Sequence, residues 1–101
     1  MEDQRIKHMV IFCLKSSKSS IETEKFLQDG RTILSSIPQV QNFELLKQVS
    51  SKNEYDFGFS MEFIDNASYL EYNSHPLHVN FVKERWENEV TKFLEIDFNK
   101  F

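Results

Sequence analysis

The chain has 101 residues, of which 40% are hydrophobic, 28% are charged and ten are phenylalanine, and its formal net charge is −4. This length and composition predict one globular domain over residues 1–101 with an aromatic core. The negative charge and the scattered basic residues argue against a nucleic-acid partner and against binding to an anionic membrane.

The only cysteine, Cys13, lies in the apolar run of residues 9–14, which is too short to span a bilayer. A lone cysteine among apolar residues is typical of a buried, reduced thiol that packs as a small hydrophobe. A catalytic thiol is the less favoured alternative, since no histidine or basic residue adjoins it. We therefore expect no disulfide and a cytoplasmic location.

The first half of the chain predicts a strand, a helix and a second strand. In the strand at residues 6–15, alternate positions are apolar on both faces, so both faces should be covered. Ser19 and Glu22 have the spacing of a capping box. The helix that follows carries apolar residues at helical spacing and ends at Pro38. Residues 40–49 predict the second strand.

The second half predicts two more strands with helices between them. Residues 50–54 are turn-like, and residues 55–63 alternate aromatic and polar side chains as a half-buried strand does. A short helix is expected from about Asn66. Pro76 suits the first turn of a further helix that runs to about residue 88. Residues 93–98 predict the last strand.

The resulting order, β-α-β-β-α-β, defines the fold class as α+β with a ferredoxin-like, split βαβ plan. Such a chain forms a four-stranded antiparallel sheet with its helices on one face. The other sheet face stays open, although the first strand is apolar on both sides. We therefore expect a homodimer through the open sheet face.

The most distinctive stretch, residues 72–78, reads Tyr-Asn-Ser-His-Pro-Leu-His and holds two of the three histidines. His78 falls in the first turn of a helix, where the helix dipole and burial both favour the neutral imidazole that a general base needs. The chain reversal at Pro76 can bring the Tyr72 phenol to the same pocket. His8 shares a strand face with apolar residues and can join them.

Purely structural interpretations stand beside this one. His75 suits a cap at the start of the helix, Tyr72 at helical spacing from Tyr69 suits simple packing, and a histidine at a helix start more often stabilises a fold than it catalyses. The His-x-x-His spacing of His75 and His78 fits metal ligation, but no carboxylate or thiol nearby completes a set, so no metal is expected.

Several motifs together resemble the stress-responsive A/B barrel domain family over nearly the whole chain. Residues 7–12 are similar to the family's opening strand with its histidine, residues 37–40 to the segment before its second strand, and residues 55–56 and 61–63 to its third strand. Residues 72–78 match its Tyr-x-x-His-Pro-x-His signature completely, and residues 97–98 fit its last strand.

The resemblance implies a ferredoxin-like subunit that dimerises into an α+β barrel. It also implies three alternatives for function, in the first of which Tyr72 and His78 act together. They are cofactor-free polyketide-cyclase-like acid–base chemistry on a carbonyl compound, a non-catalytic stress-associated or ligand-binding role, and, by analogy of fold, a cofactor-independent oxygenase. In the catalytic alternative a small apolar ligand is held by His8, His75, Phe12, Phe59 and Phe81.

Overall fold

The strands and helices follow one another in the order that the sequence pattern predicts. A computed structural model describes residues 4–101, and its strands are β1 (Ile6–Leu14), β2 (Gln41–Lys47), β3 (Phe57–Phe63) and β4 (Val90–Asn99). The helices are α1 (Ile21–Ser35), α2 (Asn66–Ser74) and α3 (Pro76–Phe81). Helix α3 continues through a π-helical segment (Val82–Trp86) into a last α-helical turn (Glu87–Glu89).

The sheet has the strand order β2-β3-β1-β4, and every neighbouring pair is antiparallel. The first strand is therefore central, with β3 on one side and β4 on the other. The predicted α+β class, with a four-stranded antiparallel sheet and helices on one face, is confirmed. Among residues 4–101 the helices lack the length and apolar character needed to cross a membrane.

Helix α1 begins one residue later than the capping box predicts. Its N-cap is Ser20, whose hydroxyl accepts a hydrogen bond from the backbone N–H of Thr23 at 3.2 Å. The prediction of Ser19 as the cap is wrong because consecutive serines offer the same chemistry, and only the backbone geometry chooses between them. Glu22 instead lies in the first turn, where a negative charge complements the helix dipole.

The limits of all four strands differ from those predicted: β1 ends at Leu14 rather than at residue 15, and β2 covers Gln41–Lys47 rather than 40–49. Strand β3 begins at Phe57 rather than at residue 55. Strand β4 begins at Val90 and not at residue 93, because Lys92 and Val90 pair with Cys13 and Leu14 of the central strand. Pairing with a neighbour extends β4 through residues whose side chains carry no alternating pattern.

The core lies between the sheet and the helices and consists mainly of aromatic rings. Alternate residues of β1 face it, as predicted, and they meet the aromatic row of β3. The Phe12 ring lies 4.9 Å from the Phe59 ring and 5.9 Å from the Phe26 ring of α1, centroid to centroid. All three side chains are fully buried. The rings join the helix layer to the centre of the sheet.

The opposite face of the sheet is apolar, and none of the helices in residues 4–101 packs on it. The odd-numbered residues of β1 and the even-numbered residues of β4 point to this side, where Met9 pairs with Ile96 and Ile11 with Leu94. Leu94 and Phe98 are about half exposed. We call this surface, formed by Met9, Ile11, Leu46, Leu94, Ile96 and Phe98, the open sheet face.

Cys13 also lies on β1 on the side of the open sheet face and is only partly buried, not buried as expected. Its thiol donates a hydrogen bond to the carbonyl oxygen of Glu54 at 3.1 Å. Partial burial, and then the negative charge of Asp56, raise the pKa of this thiol. The protonated thiol is a poor nucleophile.

The central position of Phe59 leads to a prediction about stability. Replacing Phe59 by alanine should lower the free energy of unfolding by about 3–5 kcal/mol, because the side chain is fully buried and its loss leaves a cavity. Phe101→Ala removes the same atoms from a fully exposed site and should change stability by less than about 0.5 kcal/mol. Urea unfolding at one protein concentration measures both, and equal effects would contradict this account of the core.

Candidate functional site

His8 is the first polar side chain of the site, and it is buried in the core-facing row of β1. It pairs in register with Asp97 of β4, and its Nδ1 lies 2.6 Å from Asp97 Oδ1. The Tyr69 hydroxyl, from α2, donates to Asp97 Oδ2 at 2.9 Å and lies 3.1 Å from the same Nδ1. Because the carboxylate only accepts hydrogen bonds, Nδ1 carries a proton and the imidazole ring is held in one orientation.

Tyr72, in the last turn of α2, is the second polar side chain, and it is only 3% exposed. Burial raises the pKa of its phenol well above the ordinary value, and the nearby Tyr69 and Glu95 raise it further. The phenol therefore stays protonated at neutral pH. Within residues 4–101 its hydroxyl has no hydrogen-bond partner, so its O–H is free to donate to a ligand.

His78, in the first turn of α3, is the third polar side chain of the site. Its Nδ1 lies 3.0 Å from the carbonyl oxygen of Asn73, which can only accept, so Nδ1–H donates and the neutral ring has its lone pair on Nε2. Burial lowers the pKa of His78 from its ordinary value, although the hydrogen bond to Asn73 opposes this shift. The ring is neutral near pH 7, in the form of a base.

Tyr72 and His78 lie side by side, with ring centroids 4.4 Å apart and ring planes inclined by 41°. The structure shows no direct hydrogen bond between these two side chains; His78 bonds to the backbone of Asn73 instead. Both rings line a cavity of about 200 Å³ between the sheet and the helices. The residues that line it are His8, Val10, Leu34, Phe59, Met61, Tyr72, His78, Phe81, Val82, Trp86, Phe93 and Glu95.

The other residues predicted for the site divide into two groups. Phe59 and Phe81 line the cavity. Phe12 does not: it packs behind Phe59, against the Trp86 ring at 4.9 Å. His75 caps α3, since its Nδ1 accepts a hydrogen bond from the Leu77 N–H at 3.1 Å, and it is not among the lining residues.

Four residues near the cavity that carry polar side-chain atoms were not predicted from the sequence, namely Tyr69, Trp86, Glu95 and Asp97. The signal for two of them was present, because Glu95 and Asp97 alternate with Phe93 in the predicted last strand. The alternating pattern does not show which strand pairs with the last strand. Pairing with β1 brings Asp97 beside His8, and this pairing joins residues that are far apart in the chain.

Two other features bear on the chemistry of the molecule. A wider, open groove of about 1050 Å³ lies beside the β2–β3 loop and the start of α1, but none of its lining residues is a histidine. Within residues 4–101, the structure contains no group of three or more His, Cys, Asp or Glu side chains arranged to hold a metal ion. The smaller cavity is the one that His8, Tyr72 and His78 line together.

Comparison with known proteins identifies the family. The model of the stress responsive A/B barrel domain family matches residues 6–100, and the chain belongs to that family. No curated protein matches the chain. A solved structure of a family protein with a ferredoxin-like fold from Mesorhizobium loti is 52% identical, with a TM-score of 0.95 over 96% of this chain and 97% of that one.

More distant structures share the fold. A hydroxynitrile lyase from Passiflora edulis is 14% identical, with a TM-score of 0.84 over 98% of this chain and 95% of that one. A ferredoxin-like protein of unknown function from Thermobifida fusca, described as dimeric, is 15% identical, with a TM-score of 0.79 over 95% of this chain and 91% of that one. At these identities the likeness extends to the fold alone.

The lowered pKa of His78 predicts a pH dependence of stability. The unfolded chain has the ordinary histidine pKa of about 6.5, so below that pH it binds a proton that the folded state resists. The stability from the partly buried neutral ring is complete above pH 6.5 and is lost as the pH falls toward the lower folded-state pKa. Unfolding in urea at pH 7.5 and 5.5 should therefore show a smaller loss for His78→Gln than for the wild type. Equal losses, at one protein concentration, would mean that His78 does not titrate in this way.

Proposed function

We propose that the cavity binds a small, neutral carbonyl compound and that Tyr72 and His78 transfer a proton at the carbon next to the carbonyl group. One observation carries this proposal. The two rings lie 4.4 Å apart in one cavity, and each leaves a functional atom, the Tyr72 hydroxyl and His78 Nε2, without a partner among the described residues.

In the proposed step, His78 Nε2 removes a proton from the carbon next to the carbonyl group. The C–H bond breaks, its electron pair moves onto the carbonyl oxygen, and the imidazole becomes imidazolium. Tyr72 donates a hydrogen bond to that oxygen as negative charge develops on it. The enolate carbon then attacks a second carbonyl group of the same molecule, and the imidazolium returns its proton to the new alkoxide.

The electrostatics of the two groups support these roles. A base must be unprotonated at working pH, and burial holds the pKa of His78 down. A hydrogen-bond donor must keep its proton, and burial raises the pKa of Tyr72. The base must lack its proton and the donor must keep its proton, and one apolar environment favours both states. Burial disfavours the charged form of each group, which is imidazolium for His78 and phenolate for Tyr72.

The remaining polar groups of the cavity support a neutral ligand. Glu95 brings a carboxylate to the lining, and Asp97 lies behind His8. The lining contains no lysine or arginine to balance an anionic ligand. His8, held by Asp97, provides a second imidazole to orient the substrate.

Ligand binding without turnover is the alternative that the sequence left open, and the same cavity can serve it. An enzyme and a ligand-binding protein differ here in one measurable property, which is the exchange of protons bound to carbon. An enzyme of the proposed kind exchanges the methyl protons of a ketone for deuterium, whereas a binding protein does not.

The first test uses acetophenone in D₂O, with proton exchange followed by NMR. The wild type should accelerate exchange, His78→Ala should lower the enzymatic rate by about 10²–10⁴-fold, and Tyr72→Phe by about 10²–10³-fold. His75→Ala is the matched control. It should lower stability by roughly 0.5–2 kcal/mol through loss of a cap and leave exchange unchanged. If His75→Ala and His78→Ala lose only stability, the stretch is architectural and this proposal is wrong.

The open sheet face supports a second part of the proposal, a homodimer in which this face packs against its copy. The face is apolar on the central strand β1 and on the neighbouring edge strand β4, and it lies outside the helix layer. Residues 4–101 provide no further helix or strand that covers it. The Thermobifida fusca structure, described as dimeric, has the same fold.

Sedimentation equilibrium at micromolar concentration tests the dimer. The wild type should give about twice the 12.1 kDa subunit mass. Ile96→Asp, on the open sheet face where Ile96 pairs with Met9 of β1, should shift the equilibrium to monomer because it places a charge in an apolar interface. Leu70→Asp on α2, where Leu70 is 58% exposed, should leave the mass unchanged. A wild-type monomer, or a dimer that tolerates Ile96→Asp, would contradict an interface through this face.

A further inference from the structure

Gly30 lies in the middle of α1 and is buried against the core. Glycine weakens a helix interior relative to alanine, so its presence there needs a reason. The backbone is not the reason, because no glycine among the described residues has a positive φ. The reason is the space next to its Cα.

A side chain at residue 30 would collide with two rings of the cavity wall. A Cβ atom there would lie 2.6 Å from Cζ of Phe59, 3.1 Å from its Cε2, and 3.2 Å from Cζ of Phe81. Carbon atoms in van der Waals contact are about 3.5–4.0 Å apart. Both rings would have to move away from α1.

The Phe59 ring has little room to move within the core. The Phe12, Phe43 and Phe26 rings surround it at centroid distances of 4.9, 5.4 and 6.5 Å. The Phe81 ring is likewise held by Phe26 at 5.5 Å. Both rings border the cavity on another side. The cavity is the free space into which they can be displaced.

We propose that Gly30 determines the specificity of the site by setting the Phe59 and Phe81 rings back from the cavity. The inference rests on the proposed function, since it assumes that a ligand occupies this cavity. Gly30 touches no ligand itself. It fixes the width of the cavity and thereby the largest ligand that enters.

The volume defines the ligand class. An apolar cavity of about 150 Å³ holds one benzene molecule, so about 200 Å³ holds one six-membered ring with a short carbonyl substituent. A methyl group at residue 30 removes the space for the ring and leaves room for a compound of a few atoms. The site should therefore take neutral, monocyclic carbonyl compounds, and Gly30→Ala should restrict it to acyclic ones.

The test measures the dissociation constants of acetone and acetophenone by NMR, from the shifts of the His78 ring protons. The wild type should bind both probes. Gly30→Ala should weaken acetophenone binding by about tenfold or more and change acetone binding by less than about threefold. Gly58→Ala is the matched control, because a Cβ there makes only ordinary contacts, the nearest at 3.5 Å to the Val10 carbonyl oxygen. It should change neither constant.

A compensating variant keeps the test decisive if Gly30→Ala fails to fold. Gly30→Ala combined with Phe59→Leu replaces the ring that would be struck at 2.6 Å, so the double variant should fold and bind acetophenone within about threefold of wild type. A double variant that is unfolded, or that still binds acetophenone tenfold more weakly, would overturn the inference. So would a folded Gly30→Ala protein with wild-type constants for both probes. Failure of the wild type to bind either probe would instead refute the proposed function.

Discussion

The break between α2 and α3 at His75 and Pro76 is the constraint on which the site depends. Proline disfavours helical backbone in the residue before it, and His75 is extended, with φ −65° and ψ 134°. In an unbroken helix, residues 72 and 78 would lie about 120° apart around the axis and roughly 9 Å apart along it. The break turns α3 back, so that the two rings lie 4.4 Å apart.

The same break supplies its own hydrogen bonds. The His75 N–H donates to the Tyr72 carbonyl oxygen at 3.1 Å, and its side chain caps α3. The Asn73 carbonyl, left free near the end of α2, accepts from His78 Nδ1. One turn thus ends a helix, starts another, and uses Nδ1 of His78 in a backbone hydrogen bond, which leaves its Nε2 without a partner among the described residues. Structural and chemical interpretations of residues 72–78 are therefore compatible, and they apply to different histidines.

A second constraint is the pairing of β1 with β4. It places the Asp97 carboxylate beside the buried imidazole of His8, while Nδ1 of His78 bonds to the backbone carbonyl of Asn73. Two histidines of one cavity thus have different partners. The Asp97 carboxylate orients the first through a hydrogen bond, whereas burial lowers the pKa of the second and keeps it neutral. Different partners allow the two imidazoles of one small site to differ in task.

Local patterns in the sequence were enough to predict the strands and helices of this protein and the approach of Tyr72 to His78. Alternation along β1 and β3, helical spacing in α1, and the proline at residue 76 depend on neighbours within a few residues, so the sequence predicted them. The facing of Tyr72 and His78 belongs to this group, because one turn decides it. Tertiary structure alone decided which of several serines caps α1, how far β4 extends, and that Phe12 packs behind the cavity wall and does not line it.

The contacts that the sequence left undetermined join distant segments. Asp97 meets His8 through strand pairing across 89 residues, and Gly30 meets Phe59 through the packing of α1 on the sheet. The periodicity within one segment does not indicate which residues of the other segment it contacts. From the local sequence, a glycine within a helix is expected only to lower helix stability. The packing shows the reason for Gly30, because a Cβ atom there would lie 2.6 Å from Cζ of Phe59. Such contacts depend on the whole fold, because the distances between segments are set by how the layers pack.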